Sequence, residues 1–464
     1  MELKNKRVLV VGLGKSGMAA ALFLRDRGAR VTVSDARSVA ALEKEIPALL
    51  DAGIMVEAGG HGLLTFRRQD LIVVSPGVPY DTPELRQVRA FGLTVIGELE
   101  LASRYLEGQI CAITGSNGKT TTTSLVGKIF GDAGLRTLVG GNIGTPVVEL
   151  VAESAPATWS VLEVSSFQLE TVEWFRPKIA VVLNITPDHL DRHGTFEAYA
   201  AAKARITGRQ AEGDFLVLNG EDAPTQMVAL KAGAQSAGKP EVFWFSSRRP
   251  IKQGAFVHGE SVLWQPGEGA RPEPVMPVAE IALRGRHNVD NVLAAVCCAR
   301  LAGIAAETIR ASVSGFRAVE HRLEFVASLR GVEFYNDSKA TNVDATKKAL
   351  EAFAGGVHLI LGGKDKDSDY GELAALIRER AVAVYTIGSA AEKIERQLAG
   401  VVKMVGAGTL DVAVAKAAEA AKQGDVVLLA PACSSFDQYD NYEHRGRAFK
   451  ETVNGLATAV AARS

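Results

Sequence analysis

The chain has 464 residues, a formal net charge of −1 and 47% hydrophobic residues, a length that suits about three domains, each with its own core. The near-neutral balance argues against nucleic acid or a polyanionic membrane as the main partner, and no apolar run approaches the roughly 18 residues of a membrane span. With no signal-like apolar core behind basic residues, and with Cys111, Cys297, Cys298 and Cys433 lacking any Cys-x-x-Cys spacing, the expectation is a cytoplasmic protein with neither a disulfide framework nor a zinc site.

From the N-terminus, strands alternate with amphipathic helices, the α/β pattern of parallel sheets covered by helices on both faces. The first block reads as a strand at 7–11, the turn Gly12-Leu13-Gly14-Lys15-Ser16-Gly17, a helix to about Arg27, a strand at 30–34 and then Asp35. A later strand at 71–74 runs into Ser75-Pro76-Gly77-Val78-Pro79, and the block closes near Gly97-Glu98. Gly12-x-Gly14-x-x-Gly17 with Asp35 about twenty positions on fits the dinucleotide fingerprint. Its physical content is broader than NAD(P), because three glycines let a backbone approach any nucleotide diphosphate. An oxidoreductase cofactor, another nucleotide and a tight turn without a ligand all stay open on this motif alone.

The second block opens on a strand at 110–113 followed by Thr114-Gly115-Ser116-Asn117-Gly118-Lys119-Thr120-Thr121-Thr122 and a helix to about Asp132. A glycine-rich turn entering a helix aims backbone N–H groups and the positive end of the helix dipole at an anion. Lys119 is spaced to pair with the β- and γ-phosphates of ATP, and Thr120 to hold Mg²⁺. The usual phosphate loop has a glycine where Ile113 stands, so the motif is better written TGSNGKT. A strand at 160–164 carries Glu163 to the sheet edge, and a strand at 179–184 leads into Asn184-Ile185-Thr186-Pro187-Asp188-His189-Leu190-Asp191-Arg192-His193. Mg²⁺ prefers oxygen ligands and retained water, which suits Glu163 and Thr120, with His189 completing a second ion site. A single Asp or His here is more simply a capping or loop residue; the convergence of three strand ends favours metal. Lys203 reads as an ordinary helix-surface lysine. The Pro- and Gly-rich stretch 249–277 reads as an irregular β excursion.

The third block starts near Phe316, with strands around 332–335, 357–361, 383–387 and 426–430. The expected domains are 1–98, 99–316 and 317–464.

The TGSNGKTTT loop, Gly140-Gly141-Asn142-Ile143-Gly144, the LEVSSFQLE and NITPDHLDRH segments, His287-Asn288-Val289-Asp290-Asn291, His321-Arg322 and Asn336-Asp337-Ser338-Lys339-Ala340-Thr341-Asn342 together resemble the Mur ligases of peptidoglycan synthesis. The resemblance covers essentially the whole chain. It implies a Rossmann-like N-terminal domain, a central P-loop-type mononucleotide-binding ATPase domain and a Rossmann-like C-terminal domain. The SNGKT loop, the NDSKATN segment and Pro431-Ala432-Cys433-Ser434-Ser435-Phe436-Asp437-Gln438-Tyr439 resemble the member of that family that adds D-glutamate to UDP-N-acetylmuramoyl-L-alanine. A histidine in the phosphate loop, usual in the L-alanine-adding relative, and the Asp-Asn-Pro-Arg motif of the diaminopimelate- and lysine-adding relatives are both missing.

Residue roles follow from the resemblance. The first domain would bind UDP rather than NAD, through Ser16, Asp35, Arg37, Ser75 and Gly77, with Asn142 helping to place the substrate. Gly115, Ser116, Asn117, Gly118, Lys119, Thr120 and Thr121, with Asn288, Arg322 and Asp337, would contact ATP. Glu163 and His189 match ligands of two Mg²⁺ ions, and Lys203 matches a lysine that the family carbamylates with CO₂, which would turn a cation into an oxygen ligand. Lys339, Thr341, Lys366, Ser435, Phe436 and Tyr442 fall on positions around D-glutamate. Two departures stand out. Gly362-Gly363-Lys364-Asp365-Lys366 offers two candidate lysines, and Tyr442 stands where phenylalanine is expected. The implied enzyme is a monomer that forms an acyl phosphate from ATP. Its rivals are an NAD-dependent oxidoreductase with an ATP-regulated domain, an ATP-driven switch or scaffold, and a folylpolyglutamate-type amide ligase, which would not need the first domain.

Overall fold

The computed structural model describes residues 1–235, 239–283, 285–317 and 319–461. Two compact units emerge, one of Met1–Val278 with Asn291–Val313 and one of Ala279–Asp290 with Ser314–Ser464.

The first unit contains two sheets. In the first, β1 (Arg7–Val11), β2 (Arg30–Asp35), β3 (Met55–Ala58), β4 (Leu71–Val74) and β5 (Val95–Gly97) lie in the order β3-β2-β1-β4-β5, all parallel. Alternate side chains of a strand point to opposite faces. Val8 and Val10 of β1 accordingly enter one core with Val33 and Val73, while Leu9 and Val11 enter another with Ile72 and Val74. Both faces are covered, so these strands are continuous apolar runs rather than alternating ones. The strand order reverses between β1 and β4, which opens a crevice beyond their carboxyl ends.

The second sheet has nine strands: β6 (Gln109–Thr114), β7 (Thr137–Gly141), β8 (Trp159–Glu163), β9 (Ile179–Val182), β10 (Phe215–Asn219), β11 (Glu241–Ser246), β12 (Gly254–His258), β13 (Ser261–Gln265) and β14 (Glu273–Pro277). Their order is β14-β13-β12-β11-β10-β9-β6-β8-β7. β6 pairs in parallel with β8 on one side and β9 on the other. The three strand ends expected to converge are therefore immediate neighbours. The stretch 249–277 is more regular than its composition suggests, because β12 continues the sheet and β13 and β14 add to it antiparallel.

The second unit holds β15 (Glu324–Leu329), β16 (Val332–Asn336), β17 (Val357–Gly362), β18 (Ala381–Ile387), β19 (Lys403–Gly408) and β20 (Val426–Leu429), ordered β15-β16-β20-β17-β18-β19. Only the β15–β16 pair is antiparallel. Two buried clusters cover the sheet's faces, one including Leu359, Leu361 and Leu428 and the other Ile360, Val427 and Leu429.

A buried carboxylate joins the first two sheets. Helix Glu98–Ser103 follows β5 directly, and its Glu100 is fully buried. The Glu100 carboxylate accepts from the backbone N–H of Glu173 (2.9 Å), Trp174 (3.0 Å) and Phe175 (3.1 Å) and from Arg104 Nε (2.8 Å). Charge-assisted bonds to several donors offset the desolvation of the anion. Removing the carboxylate would strand those donors, so Glu100→Ala is expected to lower stability by about 3 kcal/mol or more. Denaturant unfolding measures this, and a loss below about 1 kcal/mol would contradict it.

Candidate active site

The crevice of the first sheet is built by the loops after β1 and β4. Gly12 has φ +89°, and a Cβ on Gly17 would stand 2.0 Å from the Gly12 carbonyl oxygen, so both glycines are required by the close approach of loop and helix. Gly14 differs, since an added Cβ would meet nothing within 4 Å. The middle glycine of the fingerprint therefore faces open space, as a backbone approached by a phosphate must. Ser75 Oγ donates to the Gly12 carbonyl at 2.7 Å and ties the two loops together. The Asp35 carboxylate accepts from Leu13 N (2.7 Å) and Arg37 N (2.8 Å), and Arg37 Nη2 lies 3.0 Å from its Oδ2. Burial pushes this carboxyl up, but the Arg37 guanidinium and the two amides hold it below its ordinary value. Asp35 thus braces the Gly12–Gly17 turn and orients Arg37. Ser16 lies in the first turn of helix Lys15–Asp26 and is half-buried.

The phosphate loop leaves β6 and enters helix Lys119–Asp132 through Gly118, whose φ is +84°. A Cβ there would come within 2.3 Å of Asn291 Oδ1, so glycine is dictated by both conformation and space. The loop is held by its neighbours' strand ends: Ser116 N donates to Asn184 O (2.9 Å), Asn117 N to Asn184 Oδ1 (2.8 Å), and Asn184 Nδ2 back to Asn117 O (3.1 Å). Lys119 Nζ folds over it and donates to the carbonyls of Gly115 and Ser116, each at 2.8 Å. Thr120 Oγ1 donates to Glu163 Oε2 at 2.7 Å, and Asn142 Nδ2 donates to Glu163 Oε1 at 2.9 Å. Glu163 is 1% exposed. The Thr120 hydroxyl and the Glu163 carboxylate, both buried, place hard oxygen donors side by side and fit Mg²⁺.

Lys203 departs from the sequence expectation. Far from lying on a helix surface, it is 1% exposed, with Nζ donating to the Gly115 carbonyl at 2.8 Å. Helix Phe196–Ala204 begins at Thr195, whose side chain accepts from Ala198 N, and it carries Tyr199 four residues before Lys203, on the same face. The Tyr199 hydroxyl lies 2.9 Å from Ser116 Oγ, and its ring lies 4.6 Å from Lys203 Nζ. Burial and the charge of Lys119 push the Lys203 amine well below its ordinary value, while Asp188 and Glu163 pull the other way. His189 adopts φ +54° at the start of the short helix Leu190–His193, with its ring 4.9 Å from Phe167. That left-handed geometry is costly for a side chain larger than glycine and points to local constraint.

In the second unit, the loops after β16, β17 and β20 emerge side by side, because those three strands are adjacent. Lys339 and Thr341 sit on the first, with Lys339 Nζ 3.7 Å over the Tyr442 ring. Lys364 and Lys366 sit on the second. The Lys364 main chain exchanges hydrogen bonds with Ser434 of the third loop, and its side chain is exposed, whereas Lys366 is half-buried. Ser435 is 2% exposed and Phe436 67%. Arg322 and Asp337 also belong to this unit and interact: burial lifts the Asp337 carboxyl to about 7, against the pull of the Arg322 guanidinium and the Leu323 amide. Asn288 lies at the start of helix Arg286–Leu301, in the part of that helix assigned to the second unit.

Several residues without an assigned role prove central. Tyr199 had a usable signal in its spacing from Lys203, and Asn184 lies inside a motif already singled out. Arg445 is 1% exposed and donates to Ser338 Oγ (3.0 Å), Ser338 O (2.9 Å) and Cys433 O (3.1 Å). A lone arginine on a C-terminal helix gives no sequence signal of that bracing position between two loops.

Comparison with known proteins agrees with this arrangement. The chain matches the Mur ligase MurD-like N-terminal domain over residues 6–97, the Mur ligase middle domain over 113–299 and the Mur ligase glutamate ligase domain over 321–433. It is 66% identical over 453 residues to the UDP-N-acetylmuramoylalanine–D-glutamate ligase of Acidobacterium capsulatum, covering 98% of this chain and 97% of that protein. It is 59% identical over 457 residues to the protein of the same name from Koribacter versatilis, covering 98% and 99%. Among solved structures, a pseudomurein peptide ligase type C from Methanothermus fervidus shares the fold with a TM-score of 0.60 at 20% identity, covering 97% of this chain and 100% of that one. The UDP-N-acetylmuramate-alanine ligase of Thermotoga maritima does so with a TM-score of 0.60 at 18% identity, covering 97% and 100%. With three matched domains and relatives this similar along their full length, the chain belongs to the Mur ligase family, and its three α/β sheets are the Rossmann-like N-terminal, central ATPase and Rossmann-like C-terminal parts of that fold.

Proposed function

We propose that this chain joins D-glutamate to UDP-N-acetylmuramoyl-L-alanine with cleavage of ATP to ADP and phosphate, in peptidoglycan precursor synthesis in the cytoplasm. Two full-length relatives carry the name of that ligase. Among the described residues no helix is long and apolar enough to cross a membrane. The geometry that carries the ATP-dependent chemistry is the Thr120–Glu163–Asn142 cluster beneath a phosphate loop capped by Lys119. We read the domains as 1–98 for the UDP-substrate, 99–316 for ATP and 317–464 for D-glutamate, which the three separate sheets support. One chain carries every assigned position, consistent with action as a monomer.

A carboxylate is a poor acyl donor, being negatively charged and without a usable leaving group. In this reading an oxygen of the substrate's alanyl carboxylate attacks the γ-phosphorus of ATP, ADP leaves, and an acyl phosphate forms. The neutral amine of D-glutamate then attacks the acyl carbon and gives up a proton, and phosphate departs with the oxygen that came from the carboxylate. Ser16, Asp35, Arg37, Ser75, Gly77 and Asn142 hold the UDP-substrate. Gly115, Ser116, Asn117, Gly118, Lys119, Thr120 and Thr121, with Asn288, Arg322 and Asp337, hold ATP. Lys339, Thr341, Lys366, Ser435, Phe436 and Tyr442 surround D-glutamate.

Thr120, Glu163, His189 and Lys203 would hold two Mg²⁺ ions, which when bound neutralise phosphate charge and polarise the γ-phosphoryl group. Lys203 serves there as a carbamate: its amine attacks CO₂, an N–C bond forms, one C=O electron pair moves to oxygen, and nitrogen gives up a proton. Only a neutral amine can do this, and burial and Lys119 favour that form. The order of events is tested with substrate whose alanyl carboxylate is labelled with heavy oxygen. One labelled oxygen per turnover should appear in released phosphate; unlabelled phosphate would reject the acyl-phosphate route.

A further inference from the structure

The segment that carries His189 also holds an arginine, Arg192, that the chemistry above leaves without a role. Arg192 Nη1 donates to the Pro76 carbonyl at 2.8 Å and Nη2 to the Val78 carbonyl at 2.9 Å. Both acceptors belong to the turn Ser75–Pro79 that follows β4. The guanidinium lies 3.8 Å from the Phe167 ring centroid, with Nη2 3.4 Å from Glu170 Oε2. Its side chain is only 16% exposed. A planar fork of donors reaches two carbonyls two residues apart in one turn from two separate nitrogens, whereas lysine would have to reach both from a single nitrogen. Gly77, between the two clamped carbonyls, has space on its own side, since an added Cβ would meet nothing within 4 Å.

The contacts continue inward. His193, the next residue, stacks on Phe167 and meets the Tyr199 ring edge-on, with Nδ1 3.3 Å from Glu170 and Nε2 3.0 Å from Ser166 Oγ. Tyr199 in turn meets Ser116 of the phosphate loop. An unbroken series of packed and hydrogen-bonded side chains therefore joins the 75–79 turn to the phosphate loop.

We propose that Arg192 is a positioning residue that fixes the 75–79 turn of the UDP-substrate crevice against the His189 segment, setting the substrate's alanyl end in register with the phosphate loop. This rests on the reading of that turn as a UDP-substrate contact. The test compares Arg192→Ala and Arg192→Lys with the parent by two measurements. Hydrogen exchange of the ligand-free proteins should quicken at the amides of Ser75, Gly77 and Val78 in the alanine variant, and less in the lysine variant. In steady-state assays KM for UDP-N-acetylmuramoyl-L-alanine should rise about tenfold or more while KM for ATP stays within about twofold. A general loss of structure would move both KM values together, and that result overturns the proposal, as does unchanged exchange at 75–79. Should the alanine variant fail to fold, the lysine variant is read alone on the same terms. If the parent itself shows no D-glutamate-dependent turnover, the functional reading falls, while the exchange measurement still decides whether Arg192 holds the turn.

Discussion

Lys119→Ala should lower kcat by about a thousandfold or more with the fold intact. The Lys119 ammonium is held over the phosphate loop by the Gly115 and Ser116 carbonyls, both main-chain atoms of the loop itself, so its position is fixed before any ligand arrives. A charge already in place needs no reorganisation when negative charge builds on the transferring phosphoryl group, and that is where electrostatic stabilisation is most effective. The structural cost of the substitution is small, because the two carbonyls lose one half-buried donor, about 1 kcal/mol. Thermal unfolding and phosphate release together make the test. Near-normal turnover in the variant would remove this loop from the chemistry.

Lys203→Ala should be comparably inactive, with part of the activity returning on addition of short carboxylic acids. The reasoning differs from that for Lys119. Here the side chain is fully enclosed, its amine is driven towards the neutral form, and it lies within reach of the charges of Glu163 and Asp188. A buried ammonium next to a divalent ion would repel it, while a carbamate would ligate it. The alanine variant leaves a space in which a small carboxylate can supply the missing oxygens, whereas a purely structural lysine would not be replaced by a soluble anion. Rescue that rises with acid concentration supports the carbamate, and an undiminished alanine variant would falsify it.

The legibility of the sequence varied with how much of each element is buried. β1, β4, β6 and β17 were readable because their runs of Val, Ile and Leu are enclosed on both faces. β3 and β19 escaped notice because they are edge strands with mostly half-exposed residues, so neither alternation nor a continuous apolar run marks them. The convergence of Thr120, Glu163 and the His189 segment could be inferred because strand ends in a parallel sheet share one edge, and the β8-β6-β9 adjacency bears this out. The burial of Lys203 could not be inferred, since an Ala-rich helix has no strong apolar stripe from which to tell its inner face. The role proposed for it rests on resemblance, and its enclosure shows only in the packing. The bracing arginines, Arg192 and Arg445, act through main-chain carbonyls of distant segments, and such partners leave no trace in local spacing.

The most direct test of the account is phosphate release by the purified protein with Mg²⁺, ATP and UDP-N-acetylmuramoyl-L-alanine, comparing D-glutamate with L-glutamate, L-lysine, diaminopimelate and no amino acid. The account predicts release that requires both the nucleotide substrate and D-glutamate. Release driven by a different amino acid would contradict the assignment of the third domain, and release with none of them, or no release at all, would contradict the ligase reading itself.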